Sequence, residues 1–133
     1  MKSSLATKLA LAVSGLVFLV AAGGYPLTDL WHAAWRLPGH SELTPMFGSL
    51  YFVLGIFLLL ALRNPTSYRV VIAFAAWSSL VHAAVMGIQW AQSAGLPQDQ
   101  HDLPQAVALF VVLGLALLAV TPPAAPPAAI SAA

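Results

Sequence analysis

Polar interruptions divide the chain into four long apolar stretches, roughly Leu9–Gly24, Pro45–Leu62, Val70–Trp90 and Leu103–Val120. Each approaches the ~20 residues that a helix needs to cross the hydrocarbon core of a bilayer. The pattern predicts an all-α fold, a four-transmembrane-helix bundle. Its expected organisation is a transmembrane domain over 1–120 and a Pro/Ala-rich cytoplasmic tail over 121–133. The tail, with Pro122-Pro123 and Pro126-Pro127, has no means of burying surface and reads as extended chain.

The segments between the stretches carry their own patterns. Asn64-Pro65-Thr66-Ser67 is long enough only to join antiparallel neighbours, so the second and third helices are expected to form a tight hairpin. Pro45 suits the first position of the second helix with Thr44 as its cap, and Pro104 takes the same place in the fourth. Between the first two stretches, Leu27, Leu30, Trp31, Ala34 and Trp35 recur at three- and four-residue spacing, while Asp29, His32 and Arg36 take other angles. Two readings stay open for 27–36: a short amphipathic segment on the outer face, or an irregular loop. In both, Trp31 and Trp35 are interfacial anchors, with indole buried and its N–H wet.

A shift of 59 residues brings Trp31 onto Trp90, Leu37-Pro38 onto Leu96-Pro97 and Pro45 onto Pro104. The same shift brings Leu50 onto Leu109, Val53-Leu54-Gly55 onto Val112-Leu113-Gly114, and Leu58-Leu59 onto Leu117-Leu118. Two tandem helical hairpins, repeated in parallel about an axis along the membrane normal, account for these matches. Apolar composition and the ordinary placement of proline before membrane helices also account for them. On the duplication reading, Gly55 and Gly114 hold equivalent packing positions.

Charge adds a direction. Lys2 and Lys8 precede the first stretch, and Arg63 and Arg69 lie between the second and third. All four acids, Asp29, Glu42, Asp99 and Asp102, fall in the other two loops, beside the single base Arg36. Bases flanking membrane helices stay cytoplasmic. Both termini and loop 63–69 are therefore expected inside, with loops 25–44 and 91–102 outside. A rival reading makes the first stretch a cleavable signal peptide, with Val20-Ala21-Ala22 before the cut. Cleavage would leave the rest of the topology unchanged.

Composition narrows the function classes. Only 7% of the 133 residues are charged and 60% are apolar, against about a quarter charged in a soluble domain. Five bases are too few for a nucleic-acid surface, so no nucleic-acid partner is expected. The chain has no cysteine, which removes disulfides, thiolate metal sites and thiol catalysis. No span contains a carboxylate, the group on which small four-helix multidrug transporters depend. No catalytic triad, metal-hydrolase spacing or glycine-rich phosphate loop is present.

Polar residues within a span must face protein or water. The third stretch contains Ser78, Ser79, His82 and Gln89. At 100° per residue, Ser78, His82 and Gln89 fall within about 40° of one another, so they form one stripe expected to face the interior. His82 lies near mid-span, where an ionisable residue is a functional candidate by default. Tyr51 is its expected hydrogen-bond partner, with Ser78 as the fallback. Three roles stay open: a structural interhelical hydrogen bond, ligation of a haem or chlorophyll-type pigment, and proton or substrate handling. No second histidine lies in any span, which disfavours bis-histidine haem. Outside the spans, Asp29, His32, His40, Glu42, Asp99, His101 and Asp102 gather on one face without diagnostic metal spacing, so no metal site is expected. Gly48 and Gly55 on the second helix, Ala10 and Ser14 on the first and Gly114 on the fourth read as close-packing residues.

Several of these residues carry a family resemblance. They are Tyr25-Pro26-Leu27, Trp31, Trp35, Pro38, Met46-x-Gly48-x-x-Tyr51, the run Leu54–Pro65, and Trp77-Ser78-Ser79-x-x-His82-Ala83-Ala84-x-Met86. Together they resemble a family of small bacterial four-helix membrane proteins of unknown function, DoxX-like in style, over about residues 25–120. The resemblance implies an inner-membrane location and singles out His82, but brings no activity. The leading expectation is a non-catalytic subunit or accessory protein of a membrane complex, with lipid, other membrane subunits or its own copies as partners. The alternatives are a porphyrin- or quinone-binding protein using His82, and a small oligomeric transporter.

Overall fold

The computed structural model describes residues 4–22, 43–92 and 103–124. These form four helices and no strand. Helix α1 spans Leu5–Val17 and runs on through a π-helical turn, Phe18–Ala22. Helices α2, α3 and α4 span Leu43–Ala61, Arg69–Gln92 and Leu103–Val120. Residues 121–124 follow α4 without regular structure. Segment 27–36, Trp31, Trp35, the polar cluster of segments 25–44 and 91–102 (residues 29, 32, 40, 42, 99, 101 and 102) and tail residues 125–133 lie outside the described residues.

The helix ends follow local chemistry. Ser4 caps α1, its Oγ accepting a hydrogen bond from Thr7 N at 3.1 Å. Helix α2 begins at Leu43, so Thr44 lies inside it and is not its cap. Pro45 is tolerated there because first-turn N–H groups have no intrahelical partner. Pro104 sits just inside α4. The 62–68 turn is held by Leu62 N donating to Leu59 O, Ser67 N to Asn64 O and Arg69 N to Thr66 O.

The strongest packing corrects one expectation. Helices α2 and α3, joined by the short turn, make the slightest contact of any packed pair, whereas α3 packs closely on α4 and α1 on α2. The reason is side-chain size. Where α1 crosses α2, a Cβ on Gly55 would stand 2.8 Å from Gly15 O, so the two backbones all but touch. Where α3 crosses α4, a Cβ on Gly114 would stand 3.0 Å from Ala76 O. Between α2 and α3, bulky Tyr51, Leu54 and Phe57 face Val70, Val71 and Phe74 across an apolar groove of about 520 Å³. Small residues permit close approach and large ones hold the helices apart.

The two close crossings repeat each other. Gly55 meets Gly15 O and the Leu19 side chain, and Gly114 meets Ala76 O and the Leu80 side chain. Leu19 and Leu80 each lie one turn after the small residue of the crossing. Gly55 and Gly114 thus hold equivalent packing positions. Burial repeats as well. The sequence of buried, half-buried and exposed positions over 10–20 recurs without change over 71–81, and between 51–62 and 110–121 no buried position becomes exposed or the reverse. Among the described residues, α1 also packs on α4, while the backbones of α1 and α3 do not approach each other and neither do those of α2 and α4. The bundle is a four-sided ring in which exchanging the two hairpins preserves every neighbour.

The core comprises Leu11, Phe18, Leu58, Ala61, Ile72, Ala75, Ala76, Leu113 and Leu117. The outside is apolar too. Leu9 and Val13 of α1, Leu50 and Val53 of α2, Val70, Phe74, Trp77, Val81 and Ile88 of α3, and Val112 and Leu115 of α4 are all exposed. Among the described helices, α3 is long and apolar enough to cross a membrane, while the apolar runs Leu5–Val20, Gly48–Ala61 and Pro104–Val120 are shorter.

Candidate functional site

Each helix contributes one ring to a single cluster: Phe18 from the π turn after α1, Tyr51 from α2, His82 from α3 and Phe110 from α4. Phe18 and Tyr51 stack with centroids 5.5 Å apart. The His82 imidazole lies 4.7 Å from the Phe110 ring and 5.6 Å from Tyr51, the latter edge-on. Phe110 closes the ring of contacts, 5.9 Å from Tyr51 and 6.2 Å from Phe18. The four residues share a level, roughly 15–20 Å along the helices from the end that bears the 62–68 turn. Edge-to-face and tilted pairs at these separations are favourable aromatic contacts.

The repeat explains half of this cluster. Tyr51 and Phe110 are related by the 59-residue shift and occupy the same place in the two hairpins. Phe18 and His82 are not so related: in the register that pairs Gly15 with Ala76, Phe18 falls on Ser79 and His82 on Ala21. The asymmetric members are the imidazole and the phenyl ring at the first residue of the π turn, an irregularity often found beside functional positions.

The serines do not serve His82. Ser78 Oγ donates to Ala75 O at 3.1 Å and Ser79 Oγ donates to the same carbonyl at 2.7 Å. Ser79 is fully buried and Ser78 half-buried, so back-bonding satisfies both hydroxyls within α3. Tyr51 meets His82 as expected, but by ring contact and not by hydrogen bond. Among the described residues, neither the Tyr51 hydroxyl nor the His82 ring nitrogens have a hydrogen-bond partner.

Gln89 departs from the expected stripe. It lies on the angular face of Ser78 and His82, yet it is exposed, as are all residues from 88 to 92. That part of α3 runs beyond the cover of the other described helices. Angle fixes a face, whereas burial also needs a neighbour at the same depth.

The apolar groove between α2 and α3 reaches this cluster. Tyr51 and Ser78 line it together with Leu50, Leu54, Phe57 and Phe74. The site therefore joins an apolar slot, open along the side of the bundle, to a phenol and an imidazole in mutual contact. Sequence reading found Tyr51 and His82 but missed Phe18 and Phe110. In stretches apolar on every side, no periodic signal separates an inward phenylalanine from an outward one.

The chain belongs to a family of unknown function (DUF6632), whose model matches residues 4–127. The match takes in the whole bundle and the start of the Pro/Ala segment, beyond the extent of the resemblance read from the sequence. No curated protein and no solved structure matches the chain.

Proposed function

We propose that the chain is a small integral membrane protein, a four-helix bundle embedded in a bacterial inner membrane, and a non-catalytic subunit or accessory protein there. One observation carries this: large apolar side chains are exposed on the outer faces of all four helices. The stripe Val70, Phe74, Trp77, Val81, Val85 and Ile88 runs the length of α3. A helix of a water-soluble bundle is polar on its outer face, and an exposed apolar surface this extensive calls for lipid or protein cover. The charge sorting supports cytoplasmic termini. The repeated glycine crossings support an origin as two tandem hairpins.

Two measurements test this. Membranes washed in alkaline carbonate should retain the protein, and its release into the supernatant would overturn the proposal. For orientation, Ser41→Cys, Ser67→Cys and Gln98→Cys in this cysteine-free chain should react with an impermeant thiol reagent at 41 and 98, not at 67. Labelling at 67 alone would reverse the topology.

A second reading, binding of a quinone-type ligand, is favoured by the Tyr51 hydroxyl and His82 imidazole beside the apolar groove, neither of which has a hydrogen-bond partner among the described residues. The slot suits an isoprenoid tail, and the two polar groups suit a ring carbonyl. A porphyrin fits this corner less well, because Phe110 and Tyr51 already pack on the imidazole. An isoprenoid benzoquinone should raise the melting temperature of the purified protein. Tyr51→Phe and His82→Phe, which keep the rings, should each weaken its binding by about tenfold, the effect of losing roughly one hydrogen bond. Unchanged affinity in both variants would discard the quinone. A visible absorption band lost in His82→Phe would favour a haem or pigment instead.

A further inference from the structure

The end of the bundle that bears the 62–68 turn holds a polar depression of about 740 Å³. Its walls come from three places: the cap Ser4 with Thr7 and Lys8 of α1, Arg63 and Asn64 in the turn, and the segment from Ala119 to Pro123 at and beyond the end of α4. Arg69 braces one wall, its Nε donating to Pro122 O at 2.8 Å. That bond holds the chain beyond α4 across the depression. Arg69 itself does not line the space, so Lys8 and Arg63 are the two bases that face it among the described residues.

Nothing described balances those two charges. Lys8 and Arg63 are exposed and have no ion pair among the described residues, and every acid of the chain lies in segments 25–44 or 91–102. Helix dipoles do not account for the charge, because α1 and α3 begin at this end while α2 and α4 finish there. The positive potential comes from side chains. Neutral donors accompany it. Asn64, exposed and lining the depression, accepts at Oδ1 from Ser67 N at 3.4 Å, and its amide N–H₂ has no acceptor among the described residues. The Ser4 and Thr7 hydroxyls are hydrogen-bonded to each other at 2.8 Å, one donating to the other. Immediately beside this polar floor, Leu5 and Leu9 are exposed on α1, 73% and 56% respectively, and continue the apolar outer surface.

We infer that this depression binds the phosphate headgroup of an anionic membrane lipid. Arg63 and Lys8 contact the phosphate oxygens, Asn64 donates to them, and the acyl chains lie along Leu5 and Leu9. Arginine recognises phosphate through its planar fork and lysine as a point charge. The inference rests on the membrane reading above. The apolar rim selects a lipid over free phosphate, since a soluble anion gains nothing from leucines at the edge of its site.

The test uses the full-length protein, purified in a mild detergent after its retention by carbonate-washed membranes has been scored. Binding of phosphatidylglycerol, phosphatidylcholine and inorganic phosphate is measured by native mass spectrometry and by thermal shift. Phosphatidylglycerol should bind more tightly than phosphatidylcholine, and inorganic phosphate at the same concentration should not displace it. Lys8→Gln and Arg63→Gln should each weaken phosphatidylglycerol binding by about fivefold, the usual effect of one base near an anionic membrane surface. Lys8→Arg should preserve it. Circular dichroism confirms that each variant is folded. Equal affinity for the two lipids, or an unchanged preference in the Lys8→Gln/Arg63→Gln double variant, would overturn the site. Full displacement by inorganic phosphate would overturn the lipid assignment. A protein retained by membranes but without headgroup preference sinks this inference alone, whereas one released by carbonate sinks the membrane reading with it.

Discussion

Gly55→Ala should destabilise the bundle by about 1–3 kcal/mol, the range for forcing a methyl group into a filled crossing, and Gly55→Leu should prevent the first hairpin from closing. The added Cβ would stand 2.8 Å from Gly15 O and 3.0 Å from Leu19 N, both backbone atoms that no rotamer change can move. Gly114→Ala should be milder. Its nearest obstacle is the Leu80 side chain at 2.7 Å, which can rotate, and the Ala76 carbonyl follows at 3.0 Å. Gly87→Ala is the control: nothing lies within 4 Å of its Cβ position, and alanine is the better helix former by up to about 1 kcal/mol. Thermal unfolding in detergent, followed by helical circular dichroism, orders the three. The order of melting should be Gly55→Ala lowest, then Gly114→Ala, with Gly87→Ala at or above the parent. Equal melting of Gly55→Ala and Gly87→Ala would show that the close crossing does not hold the hairpin.

Phe18→Ala is the second large effect. Phe18 is 1% exposed and touches both Tyr51 and Phe110. In water its loss would combine a transfer term with a cavity term. In lipid the surroundings are as apolar as the core, so the cavity and lost contacts remain. At about 24 cal/mol per Å³ of residual cavity, removal of most of a phenyl ring costs about 2–3 kcal/mol. Trp77, 60% exposed on α3, gives the comparison: Trp77→Ala should leave the bundle's melting in detergent almost unmoved. Should the two variants melt together, Phe18 is not the wedge between the hairpins that its contacts imply.

The helices were legible in the sequence because a membrane-length apolar run between polar breaks has few other solutions. The stretches read as 45–62, 70–90 and 103–120 became helices within a few residues of those limits. Gly55 and Gly114 were legible as packing residues, and their equivalence followed from the 59-residue match. Gly15, the partner of Gly55, was missed in favour of Ala10 and Ser14, since periodicity gives an angle but not the helix that lies opposite. The hairpin expected between α2 and α3 failed for the same reason. A short connection brings two helix ends together, and only the side chains between them decide whether the rest follows. His82 stood out because an imidazole is conspicuous among leucines. Its neighbours did not, because Phe110 has no polar contrast to mark the face on which it lies.

The tightest seams join helices that are consecutive in the chain, α1 with α2 and α3 with α4. Each seam is complete once its second helix has been synthesised, so neither hairpin has to wait for the other to bury its glycine. Loop closure within a hairpin is also local, which favours early pairing. The seams formed last are then α2 against α3 and α4 against α1, the looser pair. Biogenesis of this protein thus becomes a docking of two prefabricated halves, and the aromatic cluster, which needs a ring from all four helices, exists only after that docking is finished.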